Sequence, residues 1–117
     1  LFLNFQQNPF PFIAQAEALL ISSRWEGQPN VGLESIALGT KVIASSTSGG
    51  LLDLIGLVPN EMLVVADSKE QFIAALIASA KPAKKETDFL PSSCLPGNFY
   101  HEKVLKEYKL ALGIAAI

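Results

Sequence analysis

The stretch that decides the fold is residues 18–45, ALLIS-SRWEGQPN-VGLESIAL-GT-KVIAS. It opens and closes on short apolar runs, which are typical of strands buried on both faces of a parallel sheet. Between the runs lie a polar loop and a helical pattern that stops at Gly39, a residue suited to the left-handed position that ends a helix. The stretch therefore predicts strands at 18–22 and 41–45 and a helix at 31–38.

The same alternation continues toward the C-terminal end of the chain. A third apolar run predicts a strand at 61–65, and residues 67–70 (Asp-Ser-Lys-Glu) resemble the capping box of a helix at 69–80. A connector that contains three prolines, at 81–97, separates this helix from an amphipathic helix predicted at 100–112. Strands that alternate with helices predict an α/β fold, a Rossmann-like parallel sheet flanked by helices with right-handed crossovers.

Composition limits the classes of function. The chain has 117 residues, of which 50% are hydrophobic and 17% charged, enough for one packed domain. Its net charge of −2 gives no electrostatic reason to expect a nucleic-acid partner. One cysteine and one histidine offer neither an internal disulfide nor a zinc ligand set, so we expect a reducing compartment and no metal. No apolar run approaches the ~18 residues of a membrane span, and we expect a cytoplasmic protein.

Two polar loops follow the first two predicted strands, at 23–30 and 46–50. The carboxyl ends of parallel strands open on the same edge of a sheet, and ligands bind at that edge. Both loops contain glycine and lead into a helix or turn. The sequence therefore predicts that a ligand site lies where these two loops meet.

The first loop places Glu26 eight positions before Glu34, which we expect in the first turn of the following helix. Asn30 is expected to cap that helix, whose free amides suit a phosphate group. Two other interpretations remain open. Glu34 could merely complement the helix dipole while Glu26 is a solvated carboxylate, or the two could form an acid/base pair as in a glycosidase.

The second loop ends in Gly49-Gly50 after a run of hydroxyl side chains. It could cradle a diphosphate at a helix N-terminus, or it could be a tight turn that needs a positive φ. In the first loop, Arg24 could pair with phosphate or face solvent. Trp25 could pack at the rim of a pocket or offer a platform on which a base stacks.

Four segments together resemble the C-terminal domain of GT-B glycosyltransferases, most closely the retaining group known as family 4 or group 1. They are SRWEGQPN at 23–30, Glu34, ALGTKVIA at 37–44 and SGG at 48–50. The resemblance covers about residues 1–112 and is specific over 22–55. It implies the C-terminal half of a GT-B enzyme, a nucleotide-sugar-binding domain spanning 1–117 and lacking its N-terminal acceptor domain.

The resemblance also implies the roles of individual residues. Glu26 would contact the donor sugar as the catalytic residue, and Glu34 would bind the ribose hydroxyls. The other donor-binding positions that it implies are Gly27, Gln28, Pro29, Asn30, Val31, Gly49 and Gly50.

The implied reaction is transfer of a sugar from a nucleoside diphosphate sugar to an acceptor with retention, without a cofactor or a metal. The acceptor, a saccharide or a lipid-linked one, would bind the N-terminal domain, and the full-length enzyme could sit at the inner face of the membrane. The isolated chain is then expected to be inactive and to self-associate through its last helix. Alternatives are a GT-B-like sugar-nucleotide epimerase and a catalytically silent nucleotide-sugar-binding or interaction module.

Overall fold

The computed structural model describes residues 2–80, 95–96 and 99–112. Of the predicted connector at 81–97, only residues 95–96 fall among the described residues. The elements within the described ranges are α1 (Phe10–Gln15), β1 (Ala18–Ile21), α2 (Asn30–Ala37), β2 (Lys41–Ala44), a 3-10 helix (Gly49–Leu54), β3 (Leu63–Val65), α3 (Lys69–Ser79) and α4 (His101–Ala111).

The strands form a sheet in the order β1-β2-β3 with β2 at its centre. Both pairings are parallel, with Leu19 opposite Val42 and Val42 opposite Leu63. The predicted Rossmann-like α/β architecture is therefore confirmed. The third strand is shorter than predicted, because Glu61 and Met62 belong to the turn before it, where the Met62 amide donates to the Pro59 carbonyl at 2.8 Å.

One face of the sheet carries the hydrophobic core. Val42 and Ala44 of the central strand are fully buried there, together with Ile36 of α2 and Leu51 of the 3-10 helix. Burying a valine, leucine or isoleucine side chain stabilises the fold by about 1.5–3 kcal/mol. The remaining buried members of this cluster are Ile21, Leu54, Val58 and Leu63.

The prediction that β1 is buried on both faces is wrong for one of its residues. Ile21 points into the core and is 6% exposed, whereas Leu20 on the opposite face is 43% exposed. The reason is position in the sheet: β1 is an edge strand of the described sheet, and α3 packs against the central strand β2 instead. A short apolar run does not reveal whether its strand lies at the centre or at the edge.

The helix that follows the first loop begins one residue earlier than predicted. Asn30 is the first helical residue, and Pro29 occupies the capping position without a side-chain hydrogen bond. The expected capping role of Asn30 is therefore wrong. At the other end the prediction is confirmed, because Gly39 has a φ of 74° and its amide donates to the Ile36 carbonyl at 3.0 Å.

The capping box of α3 is shifted by one residue from the predicted Asp67 and Glu70. Ser68 occupies the capping position, and its hydroxyl accepts a hydrogen bond from the Gln71 amide at 3.1 Å. The Gln71 side chain makes a second hydrogen bond at this end of the helix, in which its Oε1 accepts from the Asp67 amide at 2.7 Å. The Asp67 carboxylate is thereby left for a different partner in the second loop.

Candidate functional site

The two polar loops meet at the carboxyl edge of the sheet, as predicted. The first loop (residues 23–29) follows β1, and the second loop (residues 45–50) follows β2 and includes the first two residues of the 3-10 helix. Two backbone hydrogen bonds join them. The Glu26 amide donates to the Thr47 carbonyl at 2.9 Å, and the Gly50 amide donates to the Gly27 carbonyl at 2.8 Å. These two hydrogen bonds fix the position of one loop relative to the other.

Gly49 and Gly50 have a structural reason to be glycine. Gly49 has a φ of +55°, and a Cβ there would collide with the backbone carbonyls of Glu26 and Gly27. A Cβ on Gly50 would meet the side-chain oxygen of Gln28. The Gly-Gly pair thus allows the close approach of the two loops, and its expected contact with a ligand stays a prediction.

Gly27 has a different environment. Apart from its chain neighbours, no described residue has a heavy atom within 4 Å of the position that a Cβ on Gly27 would occupy. The fold of the described residues does not require glycine at this point. The space beside the Gly27 backbone is open to a ligand.

Three hydroxyl side chains fix the start of the first loop. The Ser45 hydroxyl donates to the Ser23 carbonyl at 2.7 Å, and the Thr47 hydroxyl donates to the same carbonyl at 3.2 Å. The Ser23 hydroxyl in turn donates to Oε1 of Glu26 at 2.6 Å. Sequence reasoning missed Ser23, Ser45 and Thr47, because the pairing of side chains from two loops leaves no periodic signal.

Glu26 lies in the first loop and Glu34 lies in α2, and the surroundings of their carboxylates differ. The half-buried Glu26 carboxylate is held by the Ser23 hydroxyl, whereas the half-buried Glu34 carboxylate accepts no hydrogen bond from any residue that the structure describes. We expected Glu34 in the first turn of α2. This prediction is wrong, because Glu34 lies beyond that turn. Because the dipole effect falls off within the first turn, complementing the dipole does not explain Glu34.

The N-terminus of α2 faces the edge with unused donors. The Gly32 amide donates to the Pro29 carbonyl at 2.9 Å. The backbone N–H groups of Asn30 and Val31 have no acceptor within the described part of the chain. Free amides at a helix N-terminus favour an anion such as a phosphate group.

Arg24 and Trp25 form the exposed tip of the first loop. Trp25 is 80% exposed, so it does not pack against the described residues as one interpretation expected. The other interpretation, a platform for a base, stays a prediction. The Arg24 side chain is also exposed, and neither of its two interpretations is decided.

Among residues 2–80, 95–96 and 99–112, no group of three or more His, Cys, Asp or Glu side chains is placed to hold a metal ion. No helix in the same ranges is long and apolar enough to cross a membrane.

In open α/β sheets, ligands bind at the carboxyl ends of the strands, which is where the two loops and the N-terminus of α2 lie in this chain. Residues 1–81 match the family model described as glycosyl transferases group 1. The match covers more than half of the chain, which therefore belongs to this family, as the sequence motifs indicated.

Two relatives agree with this assignment. An uncharacterized glycosyltransferase of Methanocaldococcus jannaschii is 34% identical over 53 residues, which are 45% of this chain and 13% of that protein. The second relative, from Campylobacter jejuni, is N-acetylgalactosamine-N,N'-diacetylbacillosaminyl-diphospho-undecaprenol 4-alpha-N-acetylgalactosaminyltransferase. It is 30% identical over 76 residues, which are 65% of this chain and 21% of that protein. The chain thus matches about a fifth or less of the length of these relatives, and no solved structure matches it.

Proposed function

We propose that this chain is the donor-binding part of a glycosyltransferase that moves a sugar from a nucleoside diphosphate sugar to an acceptor. One observation carries the proposal. The loop that bears Glu26 is hydrogen-bonded to the Gly49-Gly50 turn, directly before a helix with free amides at its start. Glu34 follows in that helix, and its half-buried carboxylate accepts no hydrogen bond within the described part of the chain.

Three parts of a nucleotide-sugar, the diphosphate, the ribose and the sugar, would find chemically suited partners near this edge. The free amides of Asn30 and Val31 suit the diphosphate. The carboxylates of Glu34 and Glu26 are acceptors, suited to the hydroxyls of the ribose and of the sugar respectively. The enzyme would act by positioning the donor and stabilising charge on the leaving diphosphate. Retention at the anomeric carbon is proposed on the basis of the resemblance to family 4 alone.

The acceptor is proposed to be a saccharide, free or linked to a polyprenyl diphosphate lipid. The name of the Campylobacter jejuni relative, which contains diphospho-undecaprenol, supports the lipid-linked class. Both described loops are used for the donor in this proposal, so the acceptor would bind a part of the enzyme that this chain does not supply. We therefore expect the chain alone to bind donor without sustained release of nucleoside diphosphate.

The test is calorimetric titration of the chain with uridine, guanosine and adenosine diphosphates and their sugar conjugates. Glu34→Ala is compared with Glu61→Ala, a control at an exposed glutamate before β3, on the opposite edge of the sheet. Losing a hydrogen bond to a charged group costs about 1.5–3 kcal/mol, so Glu34→Ala should bind roughly 10- to 150-fold more weakly.

The control should bind like the unsubstituted chain. The proposal would be wrong if the unsubstituted chain bound none of these ligands. It would also be wrong if Glu34→Ala bound as tightly as the control, because Glu34 would then have no part in donor binding.

A further inference from the structure

We propose that Ser23 is a positioning residue that orients the Glu26 carboxylate and thereby sets the affinity for the sugar of the donor. The inference rests on the proposed function and deepens it. It assigns the recognition of the sugar, as distinct from the nucleotide, to a contact between two side chains of the first loop.

The contact between Ser23 and Glu26 is short and directional. The Ser23 Oγ donates to the Glu26 Oε1 across 2.6 Å, a length typical of hydroxyls bound to a carboxylate. A serine hydroxyl has a single proton to donate. Because the hydroxyl donates that proton in its hydrogen bond to the carboxylate, it cannot donate to a ligand at the same time. Any effect of Ser23 on a ligand is therefore exerted through Glu26.

Glu26 is fixed at its main chain as well as at its side chain. Its amide donates to the Thr47 carbonyl at 2.9 Å, so the second loop holds the backbone from which the carboxylate extends. Its other carboxylate oxygen, Oε2, accepts no hydrogen bond from the described residues. One oxygen therefore orients the group, and the other is left to accept from a sugar hydroxyl.

Ser23 is itself anchored to the sheet. Its carbonyl accepts hydrogen bonds from the hydroxyls of Ser45 and Thr47. The Ser45 amide in turn donates to the carbonyl of Ile21, at the end of β1, at 3.1 Å. A continuous series of hydrogen bonds thus runs from the end of the strands through Ser23 to the Glu26 carboxylate. A functional group held by supporting contacts in this way is ordered before its ligand arrives.

A competing explanation is that the contact only stiffens the first loop. In that case its loss would disturb the whole edge, including the amides at the start of α2. The affinities for the nucleoside diphosphate and for the nucleotide-sugar would then fall together. A positioning role changes only the additional affinity that the sugar provides.

The experiment measures the dissociation constant of the 117-residue chain for one nucleoside diphosphate and for its sugar conjugate. The variants are Ser23→Ala and Ser23→Thr, with Ser22→Ala as the control, since Ser22 is exposed and its hydroxyl makes no hydrogen bond to a described residue. Ser23→Ala should lower the ratio of the two affinities by roughly three- to tenfold, the range of one net hydrogen bond. Ser23→Thr, which keeps the hydroxyl, should restore the ratio, and Ser22→Ala should leave it unchanged.

A second comparison places both substitutions in one chain. If Ser23 acts through Glu26, Ser23→Ala should have no further effect on the ratio in a Glu26→Ala background. Thermal melting checks each variant for folding. Should Ser23→Ala fail to fold, Ser23→Cys, with its weak donor, replaces it at a nearly unchanged shape.

The outcomes separate the two proposals. Nucleoside diphosphate binding with a ratio that Ser23→Ala does not change overturns the role of Ser23 alone. An equal loss for both ligands also overturns it and favours loop stiffening. Failure of the unsubstituted chain to bind any nucleoside diphosphate overturns the proposed function, and this inference with it.

Discussion

The two loops at the carboxyl edge contain glycines with opposite surroundings. Gly49 has a positive φ and faces the carbonyls of Glu26 and Gly27 so closely that a methyl group would collide with them. At Gly27, none of the described residues beyond its chain neighbours has an atom within 4 Å of the same position. The glycine of the second loop is therefore needed to assemble the edge, whereas the glycine of the first loop leaves room at an edge already assembled.

The largest effect is expected from Gly49→Ala. A residue held at an unfavourable φ costs about 1–3 kcal/mol, and here the collision with backbone atoms adds to that cost. Gly56→Ala is the matched control, because Gly56 has a φ of +81° and open space around its Cβ position. Urea unfolding should show a clearly greater loss of stability for Gly49→Ala. Equal losses would mean that the close approach of the loops contributes nothing to stability.

A smaller effect, of a different kind, is expected from Gly27→Ala. Its free energy of unfolding should change by less than about 0.5 kcal/mol, as for surface substitutions that disturb no contact. Donor binding should weaken by about 1 kcal/mol, roughly fivefold, because the methyl group occupies space proposed for the ligand. Melting and calorimetry on the same sample separate the two effects. Loss of stability without loss of affinity would reverse the assignment of the two loops.

The smallest effect is expected at Asp67, which joins the second loop to the start of α3. The Ser46 backbone N–H, which donates to Oδ1 at 2.8 Å, and then the Ser46 side chain hold the pKa of Asp67 below its ordinary value of 3.8. A carboxyl group whose pKa is lowered by folding stabilises the fold above its unfolded pKa. That stabilisation is lost as the pH falls through the folded pKa.

The measurement for Asp67 is the urea midpoint as a function of pH. Above about pH 5, the urea midpoint of the unsubstituted chain should exceed that of Asp67→Ala by a constant amount. Below that pH, the difference between the two midpoints should shrink. Because Asp67 is exposed, the margin should be small. A margin that grows as the pH falls would contradict the hydrogen bond to Ser46.

The fold could be predicted from the sequence to the extent that it depends on local patterns. The apolar runs at 18–22 and 41–45 and the stop at Gly39 predicted the parallel sheet and the end of α2, and the motif around Glu26 predicted the family. The exposure of Leu20 could not be predicted, because it depends on which helix covers an edge strand. The shift of the α3 cap to Ser68 accompanies a hydrogen bond from Ser46 to Asp67, a contact between distant parts of the chain that a local pattern does not reveal.

The sequence named the residues of the candidate site, whose roles stay predictions, but it did not predict the hydrogen bonds between them. The position of Glu34 beyond the first turn follows from a helix that begins at Asn30, one residue earlier than expected. The hydroxyls of Ser23, Ser45 and Thr47 were visible in the sequence as polar loop residues. Their mutual hydrogen bonds arise only when the two loops are brought together by the pairing of β1 with β2.

The central claim is that a nucleotide-sugar donor binds at the carboxyl edge of the sheet. It is tested most directly by following the backbone amide resonances of the isotope-labelled chain during titration with nucleoside diphosphate sugars. The account predicts that the largest shifts fall on Asn30, Val31 and Gly27, while Glu61 and its neighbours on the opposite edge stay unchanged. Saturable shifts centred on residues 59–62 would contradict the account, as would an absence of any shift at the start of α2.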